Sequence, residues 1–219
     1  MRVRSCVCKQ ECRCEKYVLM LFLQSLEMFY ERDLLLVEYK VAERALTHKL
    51  AEYMQMFFFD YNVDCEYNKV GRGDPKRVDE LIAQMTPLQE QRQPQDTKCN
   101  GKCDICSPNK CVIFPDIIVH RRGTDDNLLV VEAKTEWSTA SQNRDFEKLK
   151  ALTKSPSYKY RMGVGFKFCK TFDTTVKTLR VFMKPDIEIG PPIISDTCKF
   201  RFTDECERIL NKRQKGNLK

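Results

Sequence analysis

No apolar run in the 219-residue sequence is longer than the seven residues from Tyr17 to Leu23. A helix that crosses a bilayer needs about 20 such residues, so no transmembrane helix is expected. Glu11 and Glu15 precede that run and no small-residue cleavage site follows it, which argues against a secretory leader and makes the cytoplasm the expected compartment. There is no heptad pattern and no apolar interface stripe, so nothing in the sequence fixes an oligomeric state. Charge of one sign is not in large excess: 38 Lys and Arg stand against 31 Asp and Glu, a net charge of +7. That balance permits a polyanionic partner without requiring one. The length suits one domain with a substantial core.

Cysteine, in contrast, is plentiful. Eight of the twelve sit in two local clusters. In a chain long enough to build a core, clustered cysteines point to metal rather than to a disulfide scaffold, and a secreted disulfide-rich protein ranks last among the readings. Cys6, Cys8, Cys12 and Cys14 form the first cluster, but their CxC repeats leave little room for the loop of a zinc knuckle. Residues 1–20 are therefore expected to be a poorly ordered extension. The second cluster lies in a polar loop with three prolines between Pro87 and Lys110: Cys99, Cys103, Cys106 and Cys111, spaced Cx3CxxCx4C. Four thiolates separated by Asn100, Gly101, Pro108 and Asn109 can close around one tetrahedral ion. Zinc is the first choice, and an iron-sulfur cluster would use the same ligands. With every position filled by cysteine, such a centre would be structural, bracing a loop too small to have a core.

The chemistry concentrates between Phe114 and Lys134. The β-branched runs IFPDIIVH and LLVVEAK flank the polar turn RRGTDDN, which predicts a hairpin. A turn centred on Thr124 or Asp125 would set Asp116 opposite Glu132 or Lys134. Two carboxylates beside an ammonium suit a Mg²⁺ site for phosphodiester hydrolysis. On the helix expected from Val41 to Phe58, Glu43 falls in the apolar stripe, about 60° from Leu46 and about 20° from Leu50 and Met54. A charge placed there must meet a metal, a cation or hydrogen-bond donors, or else hold a proton. His48, about 140° away on the same wheel, is read as a surface or secondary-core residue.

Pro-Asp followed sixteen positions later by Glu-Ala-Lys, at the end of an apolar strand, resembles the PD-(D/E)XK or restriction-endonuclease-like nuclease superfamily. VAERALTHKLAEYM, VDCEYNKVGRGDPKR and PDIIVHRRGT also resemble an uncharacterised prokaryotic group within it, over roughly Leu21 to Met183. The resemblance implies an α/β fold, a restriction-endonuclease-like core with a mixed central sheet flanked by helices, spanning residues 21–184. The Cys₄ loop would be inserted at residues 87–112, with a C-terminal extension at residues 185–219. It implies a nuclease that uses Mg²⁺ or Mn²⁺ to hydrolyse nucleic acid, DNA favoured, with Asp116, Glu132 and Glu43 at the metal and Lys134 positioning the attacking water. Glu66 resembles a recurrent site position, and a solvent-facing carboxylate fits it equally well. Nucleases that cut both strands often act as dimers, so a dimer is compatible with this reading. A protein that keeps the fold and binds nucleic acid without catalysis is the alternative.

Around that core the sequence predicts a helix over Leu21–Val37, a strand over Tyr61–Lys69, a helix over Asn143–Leu152 and strands over Tyr160–Phe168 and Leu179–Lys184. Gly163 and Gly165 would let a helix approach the sheet closely. Eight Lys or Arg against two acids from Ser141 to Lys170 suggest a phosphate-facing surface. Arg144, Lys148 and Lys150 are expected on its outward helix face, with Tyr158 or Tyr160 available for stacking.

Overall fold

The structure, a computed structural model, describes residues 15–67, 69–70, 74–75, 114–183 and 187–189. Helix α1 (Glu15–Glu38) buries Val18, Leu19, Phe22, Leu23, Leu26, Phe29 and Tyr30, a stripe at three- and four-residue spacing. It begins six residues earlier than the periodicity from Leu21 suggested, because Val18 and Leu19 belong to the same stripe. Residues 15–20 are thus core helix and not extension. A kink at Asp33 lets the Asp33 carboxylate accept a hydrogen bond from the Tyr53 hydroxyl of helix α2 (Glu43–Phe57). On α2, Leu46, Leu50 and Met54 are buried, as the stripe required.

Six strands follow α2 into one sheet: β1 (Asn62–Cys65), β4 (Ile117–His120), β5 (Asn127–Thr135), β6 (Met162–Phe168), β7 (Arg180–Met183) and β8 (Ile187–Ile189), adjacent in that order. Among the described residues the short strands β2 (Lys69–Val70) and β3 (Asp74–Pro75) pair with each other in a separate two-stranded sheet. Every neighbouring pair in the main sheet is antiparallel except β5 and β6, which makes the sheet mixed. A parallel pair needs a crossover, and helix α3 (Asn143–Lys154) supplies it. A five-residue helix, α4 (Phe172–Val176), links β6 to β7 under a Thr171–Thr174 capping box.

Alternation along the strands sorts the core into two layers. Val119, Val131, Ala133, Val164, Phe166 and Phe168 pack against α1 and α2, with Phe22 5.7 Å from Phe166 and Phe29 5.3 Å from Phe168 between ring centroids. Ile118, Val130 and Phe182 pack instead with Leu149 and Leu152 of α3. Gly163 and Gly165 present no side chain to that helix. A Cβ at Gly165 would lie 2.7 Å from Phe146, so the close approach requires glycine there, while one at Gly163 would lie a tighter-than-usual 3.3 Å from Leu149. The result is an α/β architecture, a mixed sheet with helices on both faces. Among the described residues no helix is long and apolar enough to cross a membrane.

Candidate active site

The β4–β5 hairpin turns through residues 121–126, where Gly123 takes a φ of +75° that other residues rarely adopt. Ile117 pairs with Val131 and Ile118 with Val130, a register that sets Asp116, one residue before β4, opposite Glu132. The Asp116 carboxylate is anchored by accepting the Ala133 backbone N–H at 2.8 Å, and its carbonyl accepts the Glu66 N–H at 3.2 Å. Glu132 and Lys134, two residues apart, share the face that α3 covers.

Three more side chains reach this corner from the helices. Glu43, the first residue of α2, accepts a hydrogen bond from Lys134 Nζ at 3.0 Å through Oε1 and from the Thr135 N–H at 3.2 Å through Oε2. Asp145, in the first turn of α3, lies 3.3 Å from the same ammonium. Lys148, one helical turn on, reaches Glu132 Oε2 at 2.6 Å and lies 3.9 Å from Asp145 Oδ1. Glu43 and Asp145 both stand at helix N-termini, where the partial positive charge of the helix offsets part of their repulsion. Four carboxylates still face two ammoniums, an excess of two negative charges when all are ionised.

Glu132 is the most constrained member. It is 2% exposed, and its Oε1, like Asp145 Oδ2, has no hydrogen-bond partner among the described residues. Burial first and the nearby Asp116 second push its carboxyl well above the usual carboxylate range, against the pull of Lys148. Burial likewise raises Asp116, partly offset by the Ala133 N–H and the two lysines. Burial alone would lower Lys134, but Glu43, Asp145 and Asp116 together raise its pKa, so it stays an ammonium. Asp64 behaves in the opposite way: Arg122 and His120 hold it below the ordinary range.

A pH dependence follows from the raised pair. Below the ordinary carboxyl pKa of about 4 the folded and unfolded chains both hold the proton, and the pair's contribution to stability is fully present and constant with pH. As pH rises, the unfolded chain releases it first, so the pair's contribution to stability falls until the folded carboxyls ionise as well. In chelator, Glu132→Gln is therefore expected to gain Tm relative to the parent as pH rises from about 4 toward neutrality. Thermal melts of both proteins across that range check it. A difference that is constant with pH would contradict the assignment.

The donor set suits a hard divalent cation. Asp116 and Glu132 supply carboxylate oxygens, Glu132 Oε1 accepts no hydrogen bond among the described residues, and with all four acids ionised the charge excess matches one M²⁺. Among the described residues no three His, Cys, Asp or Glu side chains stand close enough together to hold an ion as arranged, the acids being spaced by Lys134 and Lys148.

The structure thus gathers Glu43, Asp116, Glu132 and Lys134. It corrects the placement of Lys148, which was expected to face outward: its side chain is 19% exposed and turned onto Glu132. Asp145 was missed, although a detectable signal existed. At 100° per residue it falls about 40° from Leu149 and about 20° from Leu152, as deep in the α3 stripe as Glu43 is in that of α2. Arg144 is exposed, and Lys150 pairs with Glu147 at 3.1 Å beside the Phe182 ring. Tyr158 and Tyr160 are buried with the α3 core cluster and are unavailable to stack on a base. Glu66 takes the solvent-facing alternative, pairing with Arg44 at 2.7 Å after a positive φ ends β1. His48 is exposed, and His120 pairs with Asp64 at 2.8 Å away from the cluster. Cys99, Cys103, Cys106 and Cys111, like the N-terminal cysteines, lie outside the described residues. Compared with known proteins, the chain matches no family model, no curated protein and no solved structure.

Proposed function

We propose that the chain is a Mg²⁺- or Mn²⁺-dependent nuclease with a restriction-endonuclease-like core, hydrolysing phosphodiester bonds of nucleic acid, DNA favoured, through a PD-(D/E)XK site. One observation carries the reading: buried Glu132, with an orphaned oxygen, stands opposite Asp116 and two residues from a lysine held by Glu43. Two buried carboxylate oxygens of the cluster, Glu132 Oε1 and Asp145 Oδ2, accept no hydrogen bond among the described residues, which leaves lone-pair capacity for a cation. Asp116 and Glu132 would hold the cation, with Glu43 completing the set. Bound there, it would polarise a phosphoryl oxygen and lower the pKa of a water.

Lys134, a persistent ammonium, is suited to orient the attacking water and to steady developing negative charge, but not to accept a proton. The exposed Arg144 and, about 120° round the same helix, Lys150 would meet phosphates along α3. The Cys99–Cys111 loop would bind zinc or an iron-sulfur cluster and brace the nucleic-acid side of the insertion.

A second reading is favoured by the lysine pairing itself. Lys134 and Lys148 already neutralise part of the cluster, as in a fold that binds nucleic acid without cutting it. Incubation with mixed DNA and RNA, with and without chelator, separates the two. Cleavage that chelator abolishes supports the nuclease; salt-sensitive binding without cleavage in Mg²⁺ or Mn²⁺ selects the binding protein.

A further inference from the structure

Lys148 has no part in the PD-(D/E)XK motif, yet it makes the shortest contact in the cluster, 2.6 Å to Glu132 Oε2. We infer that Lys148 is an exchange counterion: its ammonium holds Glu132 until a divalent cation replaces it, and the displaced ammonium then contacts a phosphate of the bound nucleic acid. This rests on the nuclease reading and adds a residue and an order of events to it.

The two lysines of the site are held differently. Lys134 donates a hydrogen bond to Glu43 at 3.0 Å and forms an ion pair with Asp145 at 3.3 Å, both on helix N-termini. It has no reason to leave when Glu132 gains another partner. Lys148 has one close partner, Glu132, and a distant one, Asp145 Oδ1 at 3.9 Å. Its side chain is 19% exposed while Glu132 is 2% exposed. The ammonium therefore stands between a buried carboxylate and solvent, and rotation about its flexible stem carries it outward without moving α3.

The carboxylate also prefers the exchange. An ionised carboxylate has room for several donors, and among the described residues Glu132 meets one, Lys148, with no partner at Oε1. A monovalent ammonium leaves the cluster with its excess of negative charge, whereas a divalent cation between Glu132 and Asp116 removes it. The exposed Arg144 lies one turn before Lys148, about 40° away on the same helix, so a released ammonium would meet a phosphate beside that guanidinium. Cation binding and phosphate binding would then be coupled through one side chain, and coupling of this kind is reciprocal.

The test titrates Mn²⁺ into the full-length protein and into Lys148→Met, which keeps the stem and removes the charge, at about pH 8.5 so that protons compete little. Thermal melts establish that both are folded. Lys148→Met is expected to bind Mn²⁺ more tightly by about tenfold or more, because the competing ammonium is gone, and Lys148→Arg is expected to stay near the parent. In Ca²⁺, the salt slope of oligonucleotide binding should fall by about one in Lys148→Met, with no difference in chelator. Equal or weaker Mn²⁺ binding by Lys148→Met, in a parent that binds Mn²⁺ and cleaves, overturns the exchange and leaves the nuclease standing. A parent that neither binds Mn²⁺ at this site nor cleaves overturns both.

Discussion

Lys134→Ala is expected to lower metal-dependent cleavage by about 10²–10⁴-fold with the fold retained. The side chain is 19% exposed and belongs to neither core cluster, so its loss opens no cavity in the hydrophobic core. What it removes is a fixed positive charge and its donors, held in place by Glu43 and Asp145. The loss should fall on kcat and not on KM, since an interaction that matters where charge develops contributes little to ground-state binding. Divalent-cation affinity should hold or rise, because the mutation deepens the negative charge around Asp116 and Glu132. Lys134→Arg is expected to recover only part of the rate, its planar fork replacing a compact ammonium between two carboxylates. Single-turnover rates at saturating Mg²⁺, beside a Mn²⁺ titration of each variant, test all of this. A rate unchanged in Lys134→Ala would remove the residue from the chemistry.

Gly165→Val is expected to destabilise the fold by about 2–3 kcal/mol, the range typical of overpacking a tight contact. For a chain of this size that is a Tm loss of roughly 5–10 °C. A Cβ alone would meet Phe146 at 2.7 Å and Leu149 at 3.1 Å, and the valine methyls would press further into α3. The same helix carries Asp145 and Lys148, so displacing it should also weaken divalent-cation binding. The contact is testable by relief: adding Phe146→Ala to Gly165→Val should return part of the lost stability, a coupling that independent sites would not show. Gly163, whose Cβ would lie 3.3 Å from its nearest neighbours, should tolerate alanine at a smaller loss.

Those two positions also mark what the sequence does and does not disclose. Gly163 and Gly165 alternate with Met162, Val164, Phe166 and Phe168, so a strand with one bare face and a helix lying on it were legible from period alone. The hairpin was legible for a similar reason: β-branched runs around a polar turn with one glycine leave few registers, and the observed one sets Asp116 against Glu132. Glu43 declared itself as a charge in an apolar stripe. Asp145 sent the same signal and was passed over among the basic residues of its helix. Lys148 was harder, because it roots at the edge of the α3 stripe and only its stem, laid along the sheet, brings the ammonium to Glu132. No periodicity encodes that reach. The start of α1 was misplaced because an apolar run shows no phase until it is set on a helix, where Val18 and Leu19 prove continuous with Phe22 and Leu26.

The central claim is that Asp116 and Glu132 form a cation site that cuts phosphodiester bonds. The most direct measurement is cleavage of end-labelled DNA and RNA by the parent protein and by Asp116→Asn, purified in parallel, in Mg²⁺, in Mn²⁺ and in chelator. Cleavage by the parent in either cation, lost in chelator and reduced by about 10³-fold or more in a folded Asp116→Asn, is the predicted result. Absence of cleavage by the parent in both cations, or equal cleavage by the two proteins, would contradict it.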